Sequence, residues 1–145
     1  MKAFHPYLNF PGTTEHAFQF YRSVFGGEFA ILQRFGDLPN GDQTPVEDRN
    51  KILHISLPLP NGTVLMATDA CESMGHKLQV GNNFYINIDT DDEAEVTKLF
   101  TALSAGGKVE MTPQKTFWGA FFAMCTDRFG VQWMMNHTSL KPAVG

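Results

Sequence analysis

Little in this sequence is charged, and no basic stripe runs through it. Asp, Glu, Lys and Arg make up 18% of its 145 residues, and the net charge is −4. A general nucleic-acid binder concentrates Lys and Arg on one face, so that class is set aside. Cysteine is equally scarce. Cys71 and Cys125 are the only two and lack metal-type spacing, so two free thiols in a reducing cytoplasm are expected rather than a disulfide scaffold. No run approaches the roughly 18 apolar residues that cross a bilayer. Met1-Lys-Ala-Phe-His has no apolar stretch of the kind a secretory leader carries. The expectation is a cytoplasmic chain with neither membrane nor nucleic acid as partner. The hydrophobic share, 43%, suits one globular domain with a real core.

A repeat organises what is present. His5-Pro-Tyr-Leu-Asn-Phe10 is echoed by Asn83-Phe-Tyr-Ile-Asn-Ile88, with Tyr7 answering Tyr85 and Asn9 answering Asn87. Each stretch alternates as a strand does. Each is followed by a helical pattern ending in a glycine pair, Gly26-Gly27 or Gly106-Gly107. Thr13 or Thr14 caps the first helix, whose apolar stripe is Ala17, Phe18, Tyr21 and Phe25. Thr90-Asp-Asp-Glu93 reads as a capping box for the second, with Val96, Leu99, Phe100 and Leu103 as its stripe. Glu28–Phe35 reads as a strand with Phe29, Ile31 and Phe35 on one face. Lys51–Leu59 and Thr63–Ala70 form a hairpin about Pro60-Asn61-Gly62, since Asn-Gly is a strong hairpin signal. In the second half, strands are expected near Lys108–Met111, at Thr116–Thr126 and at Val131–Asn136, with a loop through Pro113 and a turn at Asp127-Arg-Phe-Gly130. Gly62-Thr-Val-Leu-Met66 matches Gly130-Val-Gln-Trp-Met134.

The fold class that follows is α+β, with two βαβββ modules forming a curved mixed sheet and helices on its outer face. Module one covers about residues 1–72 and module two about 82–137, in a single domain over 1–137, with a tail at 138–145. Gly36–Asn50 is an unusually long irregular segment, read as a functional lid or a plain surface excursion. Glu47, Asp48, Arg49 and Lys51, which end it, would form its hinge or a polar lid.

The two sides of these strands differ in kind. Phe4, Leu8, Phe10, Phe84, Ile86, Ile88, Val131, Trp133 and Met135 are expected to face the helices as core. His5, Tyr7, Asn9, Asn83, Tyr85, Asn87, Gln132, Met134 and Asn136 fall on the other side. A side left in water normally collects Lys and Glu. One made of amides, phenols, imidazole and thioether suits a semi-enclosed cavity for a small molecule. A partner copy covering the face is the plainer alternative. Phe117, Trp118, Phe121 and Phe122 read as mostly core, with Trp118 the member able to line a cavity mouth.

Paired βαβββ modules resemble the vicinal oxygen chelate superfamily of glyoxalase I, extradiol dioxygenases and bleomycin-resistance proteins. The chain is more narrowly similar to its PhnB-like branch. The resemblance is carried by Pro6-Tyr7-Leu8-Asn9-Phe10, Ala17-Phe18-Gln19-Phe20-Tyr21, Phe25-Gly26-Gly27-Glu28, Ile52-Leu53-His54-Ile55, Leu65-Met66-Ala67-Thr68-Asp69, Gln114-Lys115-Thr116-Phe117-Trp118-Gly119 and Thr126-Asp127-Arg128-Phe129-Gly130-Val131-Gln132-Trp133-Met134. Some members of that branch carry a demethylubiquinone methyltransferase label. No Gly-rich loop opening a nucleotide-binding helix supports that activity here.

The superfamily's metalloenzymes take one ligand from the first and one from the last strand of each module. The resemblance carries those positions to His5, Met66, Asn83 and Met134. Only His5 is a good ligand for a divalent ion; an amide oxygen and two thioethers are poor ones. The expectation is therefore no metal and no other cofactor. A divalent metal held by His5 and His54 is the alternative, which would make the protein a lyase, isomerase or dioxygenase of the glyoxalase type. His5 is the candidate catalytic acid or base. The expected cavity is lined by His5, Tyr7, His54, Met66, Asn83, Tyr85, Trp118 and Met134. Its ligand would be a small metabolite or xenobiotic, and the expected assembly a homodimer, with the modules pairing either within a chain or across the dimer.

Overall fold

The computed structural model describes residues 1–138, and they form two compact units that divide between Gln79 and Val80. The first unit contains β1 (Tyr7–Phe10), α1 (Thr14–Phe25), β2 (Ile31–Arg34), β3 (Ile52–Pro58) and β4 (Val64–Asp69). The second contains β5 (Ile86–Asp89), α2 (Glu93–Ser104), β6 (Lys108–Lys115), β7 (Ala120–Thr126) and β8 (Gln132–Thr138). Each unit is one four-stranded sheet, in the order β1-β4-β3-β2 or β5-β8-β7-β6. In each, the first strand runs parallel to the last, and the other pairs are antiparallel. The chain is thus α+β and built from two βαβββ modules.

The helix covers one face of each sheet. In the first unit Ala17, Phe18 and Tyr21 of α1 are buried, as are Leu8, Phe10, Ile55, Leu57, Leu65 and Ala67 of the strands. In the second, Val96, Leu99 and Leu103 of α2 are buried, as are Ala123, Cys125, Trp133 and Met135. Each large side chain so placed contributes about 1.5–3 kcal/mol. Two carboxylates are buried with these cores. Asp69 accepts from Thr14 N at 3.0 Å, Thr14 Oγ1 at 2.6 Å and Ile52 N at 2.7 Å, so the end of β4 caps α1 and anchors β3. Asp127 accepts from Phe129 N, Val131 N and the Trp133 indole, which fixes the turn before β8.

Several elements differ from expectation. Phe4 and Phe84 are 88% and 61% exposed, because β1 begins only at Tyr7 and β5 at Ile86. Pro6 has no donor to start a ladder. The Phe84 carbonyl is taken by the side-chain amide of Gln132 rather than by a neighbouring strand. Ile86, Ile88 and Val131 are half-buried, not core. β2 is four residues long, with Ile31 exposed and a register shift at Gln33/Arg34. β6 continues through Pro113 to Lys115. As an edge strand it tolerates a missing donor, and its register breaks between Met111 and Gln114. β7 starts at Ala120, because Thr116 N bonds Ala120 O to close a tight turn whose Gly119 has φ +87°. Phe117 and Trp118 ride on that turn, 98% and 53% exposed, so they are not core. The cap of α2 is Asp92, which accepts from Glu95 N, and Thr90 bonds Asn136 O instead. Thr138 ends β8 rather than opening a tail; residues 139–145 lie outside those described.

Residues 36–50 fold into short 3-10 turns and are stapled internally. Arg49 donates to Thr44 O and Asp42 O, and the buried Asp48 accepts from Lys51 Nζ at 2.7 Å and Ser73 Oγ at 2.5 Å. Gly41 packs so closely on the Gly36 carbonyl that a Cβ would lie 2.2 Å from its oxygen.

Turn hydrogen bonds align the two modules residue by residue. Gly62 N bonds Leu59 O and Leu59 N bonds Thr63 O; Gly130 N bonds Asp127 O and Asp127 N bonds Val131 O. Both glycines have φ +91°. From these turns, Ser56 pairs with Met66 as Met124 pairs with Met134. The parallel strands then place Tyr7 beside Met66 and Asn87 beside Met134. The counterpart of Tyr7 is Asn87, not Tyr85, and the counterpart of His5 is Tyr85. An even slip of two residues preserves the faces, which is why strand alternation alone did not reveal it.

Candidate functional site

Each sheet has one face without a helix, and the side chains there come from alternate strand positions. In the first unit Tyr7, Met66, Ser56 and Ile31 form one row across β1, β4, β3 and β2. The Tyr7 hydroxyl lies 3.0 Å from His54 Nδ1, and the two rings stack at 5.6 Å between centroids and 24° between planes. Partial burial raises the Tyr7 phenol above its ordinary range. His5 is half-buried, and its Nδ1 accepts from Val64 N at 3.1 Å. Both histidines therefore spend one ring nitrogen within the fold and keep Nε2. Met66 is half-buried beside Tyr7.

In the second unit Asn87, Met134, Met124 and Met111 form the corresponding row. Three thioethers thus stand side by side on β8, β7 and β6, all half-buried. Phe122, two residues from Met124 on β7, shares this face, and Trp118 meets it edge-on at 6.0 Å. Asn83 is exposed ahead of β5. The Tyr85 hydroxyl donates to Glu110 Oε2, and Thr126 Oγ1 donates to Glu110 Oε1 at 2.7 Å. These donors hold the Glu110 carboxyl below the usual carboxylate range, while the bond to Glu110 raises the Tyr85 phenol.

Glu110, Met111, Met124, Phe122 and Thr126 were not visible as site residues in the sequence, and Glu110 adds a carboxylate to a face expected to consist of amides, phenols, imidazole and thioether. The cause is a bulge. β6 pairs Val109 with Cys125 and then Met111 with Met124, so two consecutive residues, 110 and 111, oppose one. Strict alternation would have sent them to opposite sides. The register that lines up Met111 and Met124 is likewise set between strands.

His5, Tyr7, His54 and Met66 are thus placed on the first unit, and Asn83, Tyr85, Trp118 and Met134 on the second. A depression of about 270 Å³ on the helix-bearing side of the second unit is lined by Glu93, Lys115, Thr116, Gly119, Phe121 and His137, and by none of these residues. Among the described residues, neither unit gathers three His, Cys, Asp or Glu side chains about a common point. Cys71 and Cys125 are free and buried; burial pushes the Cys71 thiol up and the Cys125 thiol up to about 12. No helix among the described residues is long and apolar enough to cross a membrane.

This pairing of βαβββ modules is the glyoxalase-like fold. A glyoxalase/bleomycin resistance protein/dioxygenase family enzyme from Burkholderia phytofirmans shares it, with a TM-score of 0.60 and 22% identity over 91% of this chain and 96% of its own. Closer likenesses narrow the class. The family model described as 3-demethylubiquinone-9 3-methyltransferase matches residues 2–136. Protein YjdN of Escherichia coli is 32% identical, over 94% of this chain and 96% of its own. Protein PA1353 of Pseudomonas aeruginosa superposes with a TM-score of 0.83 at 36% identity, covering 95% of this chain and 98% of that one. A Bacillus cereus PhnB protein, a putative 3-demethylubiquinone-9 3-methyltransferase by its description, superposes with a TM-score of 0.76 at 22% identity, over 94% and 100%. The chain belongs to the PhnB-like family, and its fold is glyoxalase-like.

Proposed function

We propose that this protein binds a small, partly aromatic or polar metabolite or xenobiotic on its helix-free sheet faces, without the superfamily's usual metal centre. The observation that carries the reading is the lining of those faces. The first unit offers His5, Tyr7, His54 and Met66, and the second offers Asn83, Tyr85, Trp118 and Met134. Imidazole, phenol, amide, indole and thioether outnumber the charged side chains of these faces, which on the second unit, among the described residues, are Glu110, Asp89 and Lys108. Methionine adapts its shape to varied apolar bodies, and Trp118 is free to stack on a planar one.

The donor set argues against a divalent ion. His5 Nδ1 accepts from Val64 N, which places the hydrogen of a neutral ring on Nε2 and leaves that ring no lone pair for an ion. Met66 and Met134 are soft thioethers, Asn83 offers one amide oxygen, and Tyr85, the counterpart of His5, is a phenol bonded to Glu110. The methyltransferase description of the family finds no support either, since Pro11-Gly12-Thr13 after β1 is no nucleotide-binding loop. Two buried free thiols suit a reducing compartment, and we place the protein in the cytoplasm. Phe4 and Phe84, exposed at matching positions ahead of the edge strands β1 and β5, are apolar surfaces that a second copy would cover in a homodimer.

Elemental analysis of protein purified without chelator, run beside a thermal-shift screen of aromatic compounds, tests the proposal. The expected result is no stoichiometric metal and stabilisation by ligands. One metal per chain that disappears in His5→Ala would overturn it.

A further inference from the structure

The bulge in β6 does more than break alternation. It puts Glu110 and Met111 next to each other on the helix-free face of the second unit. Tyr85 precedes β5 at one edge of the sheet, and Glu110 lies on β6 at the other. Their hydrogen bond therefore passes over β8 and β7 and flanks the methionine row on its Thr126 side. Phe122, with Trp118 against it, flanks the opposite side. The floor between is Met134, Met124 and Met111. Glu110 is thus a pinned carboxylate beside a polarisable apolar platform. A carboxylate has about four acceptor sites. Thr126 and Tyr85 use one each, and the others are open. The other charges on this face among the described residues are Asp89, whose carboxylate accepts from Asn87 Nδ2 and Asn136 Nδ2, and Lys108, the cation beside Glu110.

We propose that this face takes an organic cation, its apolar or aromatic body lying on the three thioethers and against Phe122 and Trp118, its ammonium or amidinium group bonded to Glu110. The inference rests on the small-molecule reading above and gives it a ligand class. Two carboxylates against one lysine disfavour an anion there. Thioethers and aromatic rings are the neutral surfaces best suited to a desolvated cation.

Three naphthalene fluorophores of different charge test it on the full chain: dansylcadaverine (cation), N-phenyl-1-naphthylamine (neutral) and 1-anilinonaphthalene-8-sulfonate (anion). Dansylcadaverine is expected to bind at least about tenfold more tightly than the sulfonate, the scale of one hydrogen bond to a charged group. Glu110→Gln, which keeps an acceptor for Thr126, is expected to lower dansylcadaverine affinity about tenfold and leave the neutral probe within about twofold. If Glu110→Gln weakens all three probes alike, or leaves dansylcadaverine unaffected, the cation assignment falls while the binding reading stands. If none of the three binds, both fall.

Discussion

Replacing Asp69 should be the most damaging single-carboxylate change in the first unit. The residue is 3% exposed, and Thr14 is fully buried. In Asp69→Ala the N–H groups of Thr14 and Ile52 and the Thr14 hydroxyl lose their acceptor together. A buried donor left unsatisfied costs about 1–3 kcal/mol. The hydroxyl can rotate toward another acceptor; the two N–H groups cannot. Water entering the space left by the side chain recovers part of the loss, so the expected cost is about 3–4 kcal/mol. In Asp69→Asn the Oδ1 acceptor for Thr14 survives, but the amide NH₂ confronts Ile52 N–H, and the expected cost falls to about 1–3 kcal/mol. Urea unfolding followed by circular dichroism measures both, as a lowered midpoint at unchanged slope. A loss below about 1 kcal/mol for Asp69→Ala, or an Asn variant as unstable as the Ala variant, would refute the assignment of Asp69 as a three-way anchor.

The staple of the 36–50 segment gives a pH prediction. Hydrogen bonds from Lys51 and Ser73 hold the Asp48 carboxyl below its ordinary value. Its stabilisation is therefore fully present above the ordinary carboxylate pKa and lost as pH falls through the depressed one. Asp48→Asn should melt below the parent protein at pH 7, and the difference should vanish once pH drops below the depressed value; a gap constant with pH would contradict this. Cys125, pushed up to about 12 by burial, and the buried Cys71 should both resist dithionitrobenzoate at pH 8 in the native protein and react after unfolding in urea; prompt labelling of either in the native state would place it nearer the surface.

The repeat, the two helices with their buried stripes, the Asn61-Gly62 hairpin and the core positions of Leu8, Phe10, Trp133 and Met135 were all legible in the sequence. Each is a local property. A period of two or 3.6 and the chemistry of a turn are written in neighbouring residues. The same local logic failed at Phe4, Phe84, Phe117 and Trp118. A strand ends where its hydrogen-bonding partners end, and that depends on another segment.

Three features of the helix-free faces required tertiary structure. Hairpin register is fixed by the turn, but β1 and β4, like β5 and β8, are parallel and joined by a helix and two further strands. Nothing adjacent in the chain fixes which residue meets Met66 or Met134, so the match of Tyr7 to Asn87 came only from packing. The bulge at Glu110 is a misfit between two strands and leaves no trace in one strand's alternation. The stack of Tyr7 on His54 likewise joins residues from β1 and β3, across a distance in sequence that only the folded sheet closes.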